Sequence, residues 1–267
     1  MNTKISAVII SKNAERTIGR TLRSLSNFDE VVILDTGSTD NTMKIAQSYH
    51  NVKLFQAAFN GFGKSKNDAA NLAQNDWIFS IDSDEVITPG LIKSLRQLRP
   101  ANRTVYRVKR NNFYKKFRIK HSGWGNDYLV RLYNRKDTAF KEKLVHEHVC
   151  SENLKVNTLN GIMNHYTYQS LSDFSKKREF YSDLFAIENK GKRNSSPSIA
   201  FFHAMYEFFH TYILRKGFLD GYLGLFIAVS NAYVTFSKYI KLYEVNLELE
   251  QVVEETVTVK DLKTIPG

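Results

Sequence analysis

Two aspartates one residue apart, Asp82 and Asp84, follow the apolar run Trp77-Ile78-Phe79-Ser80-Ile81. Four apolar residues in five read as a short buried strand. A strand end sets such side chains at the carboxyl edge of a sheet, where open α/β folds bind ligands. Carboxylate oxygens are hard ligands that suit Mg²⁺ or Mn²⁺. These ions take few protein carboxylates and complete their shells with substrate phosphates and water. The plain alternative is an acidic turn capping a helix that starts near Pro89. Similar polar groups end two other runs: Ser11 and Asn13 after Ala7-Val8-Ile9-Ile10, and Asp35 after Val31-Val32-Ile33-Leu34. A carboxylate at Asp35 can accept the imide N–H of a uracil base, or cap the turn at Ser38. Asp82 can accept a ribose hydroxyl, and Asp84 can hold a metal that bridges a diphosphate. Lys64 and Lys66 head a further helix, where a cation and a helix N-terminus both favour phosphate. Read alone, they are an exposed basic helix start.

These residues need a scaffold that brings them together. Strands centred on Ala7–Ile10, Val31–Leu34, Val52–Phe55 and Trp77–Ile81 alternate with helical patterns over residues 15–26, through Tyr49, and over residues 65–74. Ser38, Thr39 and Asp40 are each candidate N-caps for the second helix. Such alternation predicts right-handed βαβ units and a mostly parallel sheet. After Pro100 the pattern changes. Val105–Val108, Tyr128–Tyr133 and Leu144–Val149 read as half-solvated strands, with Gly123–Asp127 a loop between them. Leu171 opens a helical region, broken at Asn194–Pro197. Two more helices, Ile199–Leu214 and Phe218–Tyr243, meet at Arg215-Lys216-Gly217. The expected organisation is an α/β domain over residues 1–168, with a nucleotide-binding half 1–100 and an acceptor half 101–168. An aromatic helical extension over 169–243 and a tail over 244–267 follow. No Gly-x-x-x-x-Gly-Lys-Ser/Thr stretch and no Gly-x-Gly-x-x-Gly after the first strand are present, which argues against a P-loop NTPase and a dinucleotide-binding Rossmann site.

The 267 residues carry a formal charge of +11, and 42% of them are hydrophobic. A basic balance implies an anionic partner: nucleic acid, anionic lipid or a phosphorylated substrate. Cys150 is the single cysteine, so no internal disulfide forms, as fits a reducing compartment. The apolar stretch from Ile5 is too short for a signal-peptide core, and the expected location is cytoplasmic.

Four stretches together resemble a family 2 inverting glycosyltransferase of the GT-A fold. They are Ser6 to Asn13, Val31 to Thr42 with its Asp-x-Gly-Ser-x-Asp-x-Thr pattern, Lys66 to Ala70, and Asp82-Ser83-Asp84. Trp124 to Val149, with Arg131-Leu132-Tyr133 and Val145-His146-Glu147, is similar to the lipopolysaccharide core β-1,4-glucosyltransferase subgroup. So are His165-Tyr166 and Gly217 to Gly221. The resemblance implies a UDP-sugar donor bound by Ser11, Asn13, Asp35, Lys64, Lys66 and Asp82. It also implies Mg²⁺ or Mn²⁺ on Asp84 and Asp82. The implied acceptor is an anionic lipid-linked saccharide, with Trp124, Arg131, Arg215 and Lys216 on the acceptor or membrane side. No Glu-Asp pair precedes a Gln-x-x-Arg-Trp motif, which argues against a processive synthase. Inverting transfer is one displacement at the anomeric carbon, and a carboxylate must deprotonate the acceptor hydroxyl. Asp127, in a Gly/Trp loop, and Glu147, in an apolar strand where burial raises a carboxyl pKa, are the two candidates. Their ordinary alternatives are an Asp127–Arg131 pair and a Glu147–lysine pair.

The C-terminal helices are unusually aromatic, from Phe201 to Phe226. Residues 218–236 approach the length of a membrane span, but Asp220 and Asn231 interrupt them. Core packing is the plain reading. A helix pair lying in a membrane interface, with Arg215, Lys216, Lys238 and Lys241 facing lipid phosphates, is the sharper one. Three expectations compete: transfer to a lipid-linked saccharide, transfer to another carrier such as a protein or undecaprenyl phosphate, and a basic nucleic-acid-binding module. The last gives Asp82 and Asp84 no role, and the expectation is therefore an enzyme without a nucleic-acid partner.

Overall fold

The computed structural model describes residues 3–142, 147–168 and 171–262. It separates into two compact units, residues 1–120 with 124–169 and residues 121–123 with 170–267. Part of the expected Leu144–Val149 strand lies outside the described residues. What is described there is a single bridge between Phe140 and Val149.

In the first unit, strands β1 (Ile5–Ser11), β2 (Glu30–Asp35), β3 (Val52–Gln56) and β4 (Trp77–Ser80) run parallel in the order β3-β2-β1-β4. Helices α1 (Ile18–Ser24), α2 (Thr42–Gln47) and α3 (Phe62–Asn71) connect them. Every residue of β2 is buried. Strands covered on both faces must be apolar in continuous runs, and their alternate residues go to opposite sides. Ile5, Ala7, Ile9, Val31, Ile33 and Phe79 accordingly join one core with Ile18, Leu22 and Leu25. Val8, Val32, Leu34 and Ile78 join a second core with Ala69, Ala70 and Ala73.

After β4 come β5 (Glu85–Ile87), helix α4 (Pro89–Gln97), β6 (Thr104–Tyr114), β7 (Phe117–Arg118), β8 (Asp127–Asn134) and β9 (Lys155–Tyr168). The sheet continues from β4 as β8-β6-β9-β5. Here it turns mixed, because β8 runs antiparallel to β4 and β6 while β6 and β9 run parallel. The expected strand at Val105–Val108 is thus longer, and β9 is a strand that the sequence pattern did not mark. Alternation is weak in β9, whose centre holds Asn160-Gly161. Gly161 lies at φ +111°, and a Cβ there would sit 2.4 Å from the Leu91 backbone nitrogen of α4. Only glycine lets α4 lie this close across β9.

The second unit contains α5 (Leu171–Asn189), α6 (Pro197–Phe209) and α7 (Tyr222–Leu262). Ser196 caps α6, its hydroxyl accepting the Ile199 N–H. The α6–α7 junction differs from the expected pair of long helices. A π turn spans His210–Leu214 and a 3-10 turn spans Gly217–Asp220. Lys216 and Gly221 both take positive φ, which ends one helix and delays the next. Asp220 therefore sits in the turn, where its carboxylate accepts the His121 N–H at 2.9 Å and the Ser122 hydroxyl at 3.2 Å. Helix α7 continues past Tyr243 into the expected tail, since no glycine or proline lies between Leu225 and Leu262. Among the described residues, no helix is long and apolar enough to cross a membrane.

The tight approach at Gly161 has a measurable consequence. Gly161→Ala is expected to destabilise the fold by more than about 1 kcal/mol, because alanine is strained at positive φ and its methyl has no room. Urea unfolding of the purified variant checks this, and an unchanged midpoint would contradict the assigned packing.

Candidate active site

The Asp-x-Gly-Ser-x-Asp-x-Thr stretch builds the loop at the end of β2. Asp35 is fully buried. Its Oδ1 accepts the N–H groups of Gly37 at 3.1 Å and Ser38 at 2.8 Å, and its Oδ2 accepts the hydroxyls of Ser11 at 3.0 Å and Ser38 at 2.5 Å. A carboxylate offers about four acceptor sites. All are in use, so Asp35 shapes the loop rather than meeting a uracil imide. Ser11, also buried, is taken up by Asp35. The Ser38 hydroxyl accepts the Asn13 N–H, and the Asn13 side-chain carbonyl accepts the Thr39 N–H at 2.8 Å. Asn13 itself is exposed at φ +50° beside this loop. Asp40 binds the N–H and hydroxyl of Thr42 through Oδ1, and the Glu15 N–H through Oδ2. The N-cap position of α2 falls on Asn41, which makes no side-chain capping bond.

The two lysines of α3 separate. Lys64 is exposed and pairs with Asp68 one turn on, at 3.0 Å. Lys66 is 5% exposed, and its ammonium lies 3.0 Å from Asp82 Oδ1 and 2.8 Å from Glu147 Oε1. Burial alone would lower the Lys66 pKa, but the Asp82 and Glu147 carboxylates raise it, so the ammonium stays charged. The expected free phosphate-binding cation is instead a buried bridge between two acids.

From Lys66 the contacts run on without a break. Asp82 Oδ2 accepts from Arg131 Nη2 at 2.8 Å, and Arg131 Nη2 also donates to Glu85 Oε1 at 2.5 Å. Burial opposes ionisation of Asp82, but Arg131 and Lys66 outweigh it and hold its pKa well below the usual carboxylate range. Burial likewise works against the Arg131 charge, and Asp82 and Glu85 raise its pKa. Glu85 Oε1 takes a second bond from Arg110 Nη1 at 3.1 Å. Arg110 Nε donates to Asp127 Oδ2 at 2.7 Å, and that oxygen also accepts from Asn112 Nδ2 at 2.9 Å. Asn112 Oδ1 lies 2.7 Å from His165 Nδ1, and His165 Nε2 lies 3.3 Å from Asp84 Oδ1. One polar network thus joins Glu147, Lys66, Asp82, Arg131, Glu85, Arg110, Asp127, Asn112, His165 and Asp84.

Several expected roles change in this geometry. Arg131 is buried inside the network, not on an acceptor or membrane rim, and its partners are Asp82 and Glu85 rather than Asp127. Both oxygens of Asp82 are held by cations, whereas Asp84 Oδ1 faces His165 Nε2. Among the described residues, no group of three or more His, Cys, Asp or Glu could hold an ion alone. Two carboxylates one residue apart would suit an ion that needs one or two protein oxygens and brings its own phosphate ligands, as Mg²⁺ and Mn²⁺ do. Asp127 and Glu147 are each anchored by one oxygen. Asp127 Oδ1 and Glu147 Oε2 accept no hydrogen bond from a described residue. Trp124 is half-buried, and its carbonyl accepts from Asn112 Nδ2 at 3.1 Å. Arg215 and Lys216 are exposed in the second unit. Glu85, Arg110 and Asn112 escaped the sequence reading. Glu85 heads the apolar pair Val86-Ile87, and such a charge at the mouth of a buried strand demands a partner.

The chain is similar to several known glycosyltransferases. A 28% identical "Uncharacterized glycosyltransferase" of Rickettsia typhi aligns over 94% of this chain and 90% of its own length. The lipopolysaccharide core biosynthesis glycosyltransferase LpsC of Rhizobium meliloti is 26% identical over 90% of this chain and 92% of its own. Among solved structures, Staphylococcus aureus TarS 1-349 in complex with UDP-GlcNAc aligns over 93% of this chain and 92% of its own, at 16% identity and a TM-score of 0.48. The family model for glycosyl transferase family 2 matches residues 6–154. With more than half of its length matched, and the matched part carrying most of the network, the chain belongs to glycosyl transferase family 2.

Proposed function

We propose that this glycosyltransferase moves a sugar, glucose being the favoured one, from a UDP-sugar to a lipid-linked saccharide, with inversion at the anomeric carbon. The observation that carries the reading is the single network that gathers Asp82, Asp84, Asp127 and Glu147 in one unit. The lipopolysaccharide inner core is the favoured acceptor class, because the LpsC relative bears that assignment along most of both chains. A net charge of +11 suits an anionic acceptor. A protein or undecaprenyl phosphate is the alternative carrier.

In this reading the acceptor oxygen attacks the anomeric carbon from the face opposite the diphosphate. Its proton passes to the open oxygen of Asp127 or Glu147, the new glycosidic bond forms, and the bond to the UDP oxygen breaks. The anchored oxygen of each candidate keeps the other aimed, and Arg110 or Lys66 holds it there. Bound at Asp84, a divalent cation would supply charge neutralisation for the leaving diphosphate. Asp82, fixed by Lys66 and Arg131, presents the edge on which the donor lies.

Access to a lipid acceptor has its own physical basis in the second unit. Phe202, Tyr206, Phe209 and Leu214 are each more than half exposed, and Arg215 and Lys216 follow them directly. Exposed aromatics beside basic residues suit the headgroup boundary of an anionic membrane. Each Lys or Arg near such a surface contributes roughly 1 kcal/mol, so contact is peripheral and salt-sensitive. The expected site of action is the cytoplasmic face of a membrane.

Three outcomes are expected. Asp84→Asn lowers transfer at least about 100-fold and weakens UDP binding in Mn²⁺, since an amide is a poorer ligand for a hard cation. Normal activity in that variant would remove the metal role from Asp84. Of Asp127→Asn and Glu147→Gln, one lowers turnover roughly 10²–10⁴-fold while UDP still binds; near-normal turnover in both would exclude both as the base. The protein sediments with anionic liposomes at low salt, less so as salt rises, and less so with Arg215→Glu plus Lys216→Glu. No binding at low salt, by a protein that still glycosylates a soluble acceptor, would refute the membrane contact.

A further inference from the structure

Glu85 is the one carboxylate in the network that touches both sides of it. Its side chain is fully buried. Oε1 accepts from Arg131 and from Arg110, and Oε2 accepts the backbone N–H of Asp82 at 2.9 Å. Each arginine then reaches a different acid: Arg131 grips Asp82, and Arg110 grips Asp127. Strand pairing fixes the frame, with Glu85 opposite His165 across β5–β9 and Arg110 opposite Asp127 across β6–β8.

We propose that Glu85 is a positioning residue that sets the donor-side carboxylate Asp82 and the acceptor-side carboxylate Asp127 at once, through two arginines that divide the task. The inference rests on the transfer reading given above. The reasons are chemical. A guanidinium is rigid and planar, so holding one of its nitrogens fixes the rest: Arg131 meets Glu85 and Asp82 through the same Nη2, and Arg110 meets Glu85 through Nη1 and Asp127 through Nε. Arg131 and Arg110 share one oxygen of Glu85, so moving that oxygen moves both forks. Two buried or nearly buried cations this close repel unless an anion sits between them. Without the Glu85 charge, Arg131 and Arg110 must separate, and each draws its own acid away from the working position. An uncharged amide also offers one acceptor oxygen where Glu85 offers two, one to the Asp82 N–H and one to the two arginines. Glutamine at residue 85 keeps the shape but removes the charge. Aspartate keeps the charge on a shorter arm.

The division between the arginines gives a test that general loss of structure would not reproduce. A partly unfolded sample binds less UDP and turns over less, yet its dissociation constant and its turnover per bound site are unchanged. The measurements are therefore the Kd for UDP in Mn²⁺ by calorimetry and kcat normalised to UDP-binding sites. Glu85→Gln is expected to raise Kd about tenfold and lower normalised kcat roughly 100-fold, with Glu85→Asp recovering part of both. Arg110→Gln, at a partly exposed residue that bonds Asp127 and Glu85 but not Asp82, is expected to lower normalised kcat to a similar extent with Kd within about twofold of wild type, because Arg131 still holds Asp82. Arg110→Gln keeps the proposal testable if Glu85→Gln does not fold. A folded Glu85→Gln with wild-type Kd and kcat would overturn the proposal, as would an Arg110→Gln whose Kd rises while kcat holds. Wild type that binds UDP while these variants match it overturns this inference and leaves the transfer reading standing. Wild type that neither binds UDP nor turns over any UDP-sugar overturns both.

Discussion

Burying several acids at one sheet edge is costly, and the site of this chain rests on how that cost is offset. An unpaired ionised group in a protein interior is destabilised by several kcal/mol after relaxation, and its partner is strongly destabilised when the pair is broken. Lys66, Arg131 and Arg110 are interleaved with Glu147, Asp82, Glu85 and Asp127, so each buried charge faces an opposite one. Hydrogen bonds with both partners ionised are short and directional. The alternation therefore does two things together. It makes burial tolerable, and it leaves few positions for each carboxylate oxygen. A glycosyltransferase must hold two substrates in register, and a site for that benefits from such rigidity.

The fold supplies the frame for that alternation through two different sheet halves. The parallel half ends its strands level with one another, as the pairing of Ser11 with Asp35 shows, and so gathers the loops that carry Asn13, Ser38 and Asp82. The mixed half contributes side chains from the strands themselves. Arg110, Asn112, Asp127 and Arg131 lie on adjacent antiparallel strands, and His165 faces Asn112 across β6–β9. Loops give reach and strands give precision, and the network uses both. The aromatic second unit follows another logic. Its Phe202, Tyr206 and Phe209 stay exposed although α6 packs along α7, and large exposed apolar surfaces mark interaction faces.

Much of this was legible in the chain. The βαβ half was readable because buried parallel strands are continuous apolar runs, and Val31-Val32-Ile33-Leu34 cannot be mistaken for a surface helix. The polar residues ending those runs were readable for the same reason. Their roles were less so. Asp35 looked like a base contact, yet all its acceptor sites turn inward, a fact set by backbone N–H directions that residue identity does not encode. Lys66 read as a phosphate-binding cation and Arg131 as an acceptor-side residue or a partner of Asp127, and both are buried bridges to Asp82, 16 and 49 residues away. Such pairings depend on strand order, and β8 beside β4 is an antiparallel insertion that periodicity cannot announce. Strand β9 was missed because Gly161 and the asparagines beside it weaken its alternation, and the α6–α7 junction was blurred where Lys216 and Gly221 take positive φ.

The central claim is that acids fixed on opposite sides of one network perform a single inverting displacement on a UDP-sugar. Its most direct test is the configuration of the first sugar released. Wild-type protein incubated with Mn²⁺ and UDP-α-glucose, or the UDP-sugar it hydrolyses fastest, can be followed by proton NMR before mutarotation mixes the anomers. A single displacement from the face opposite the diphosphate predicts that the β-anomer is released first. Initial release of the α-anomer would contradict the account.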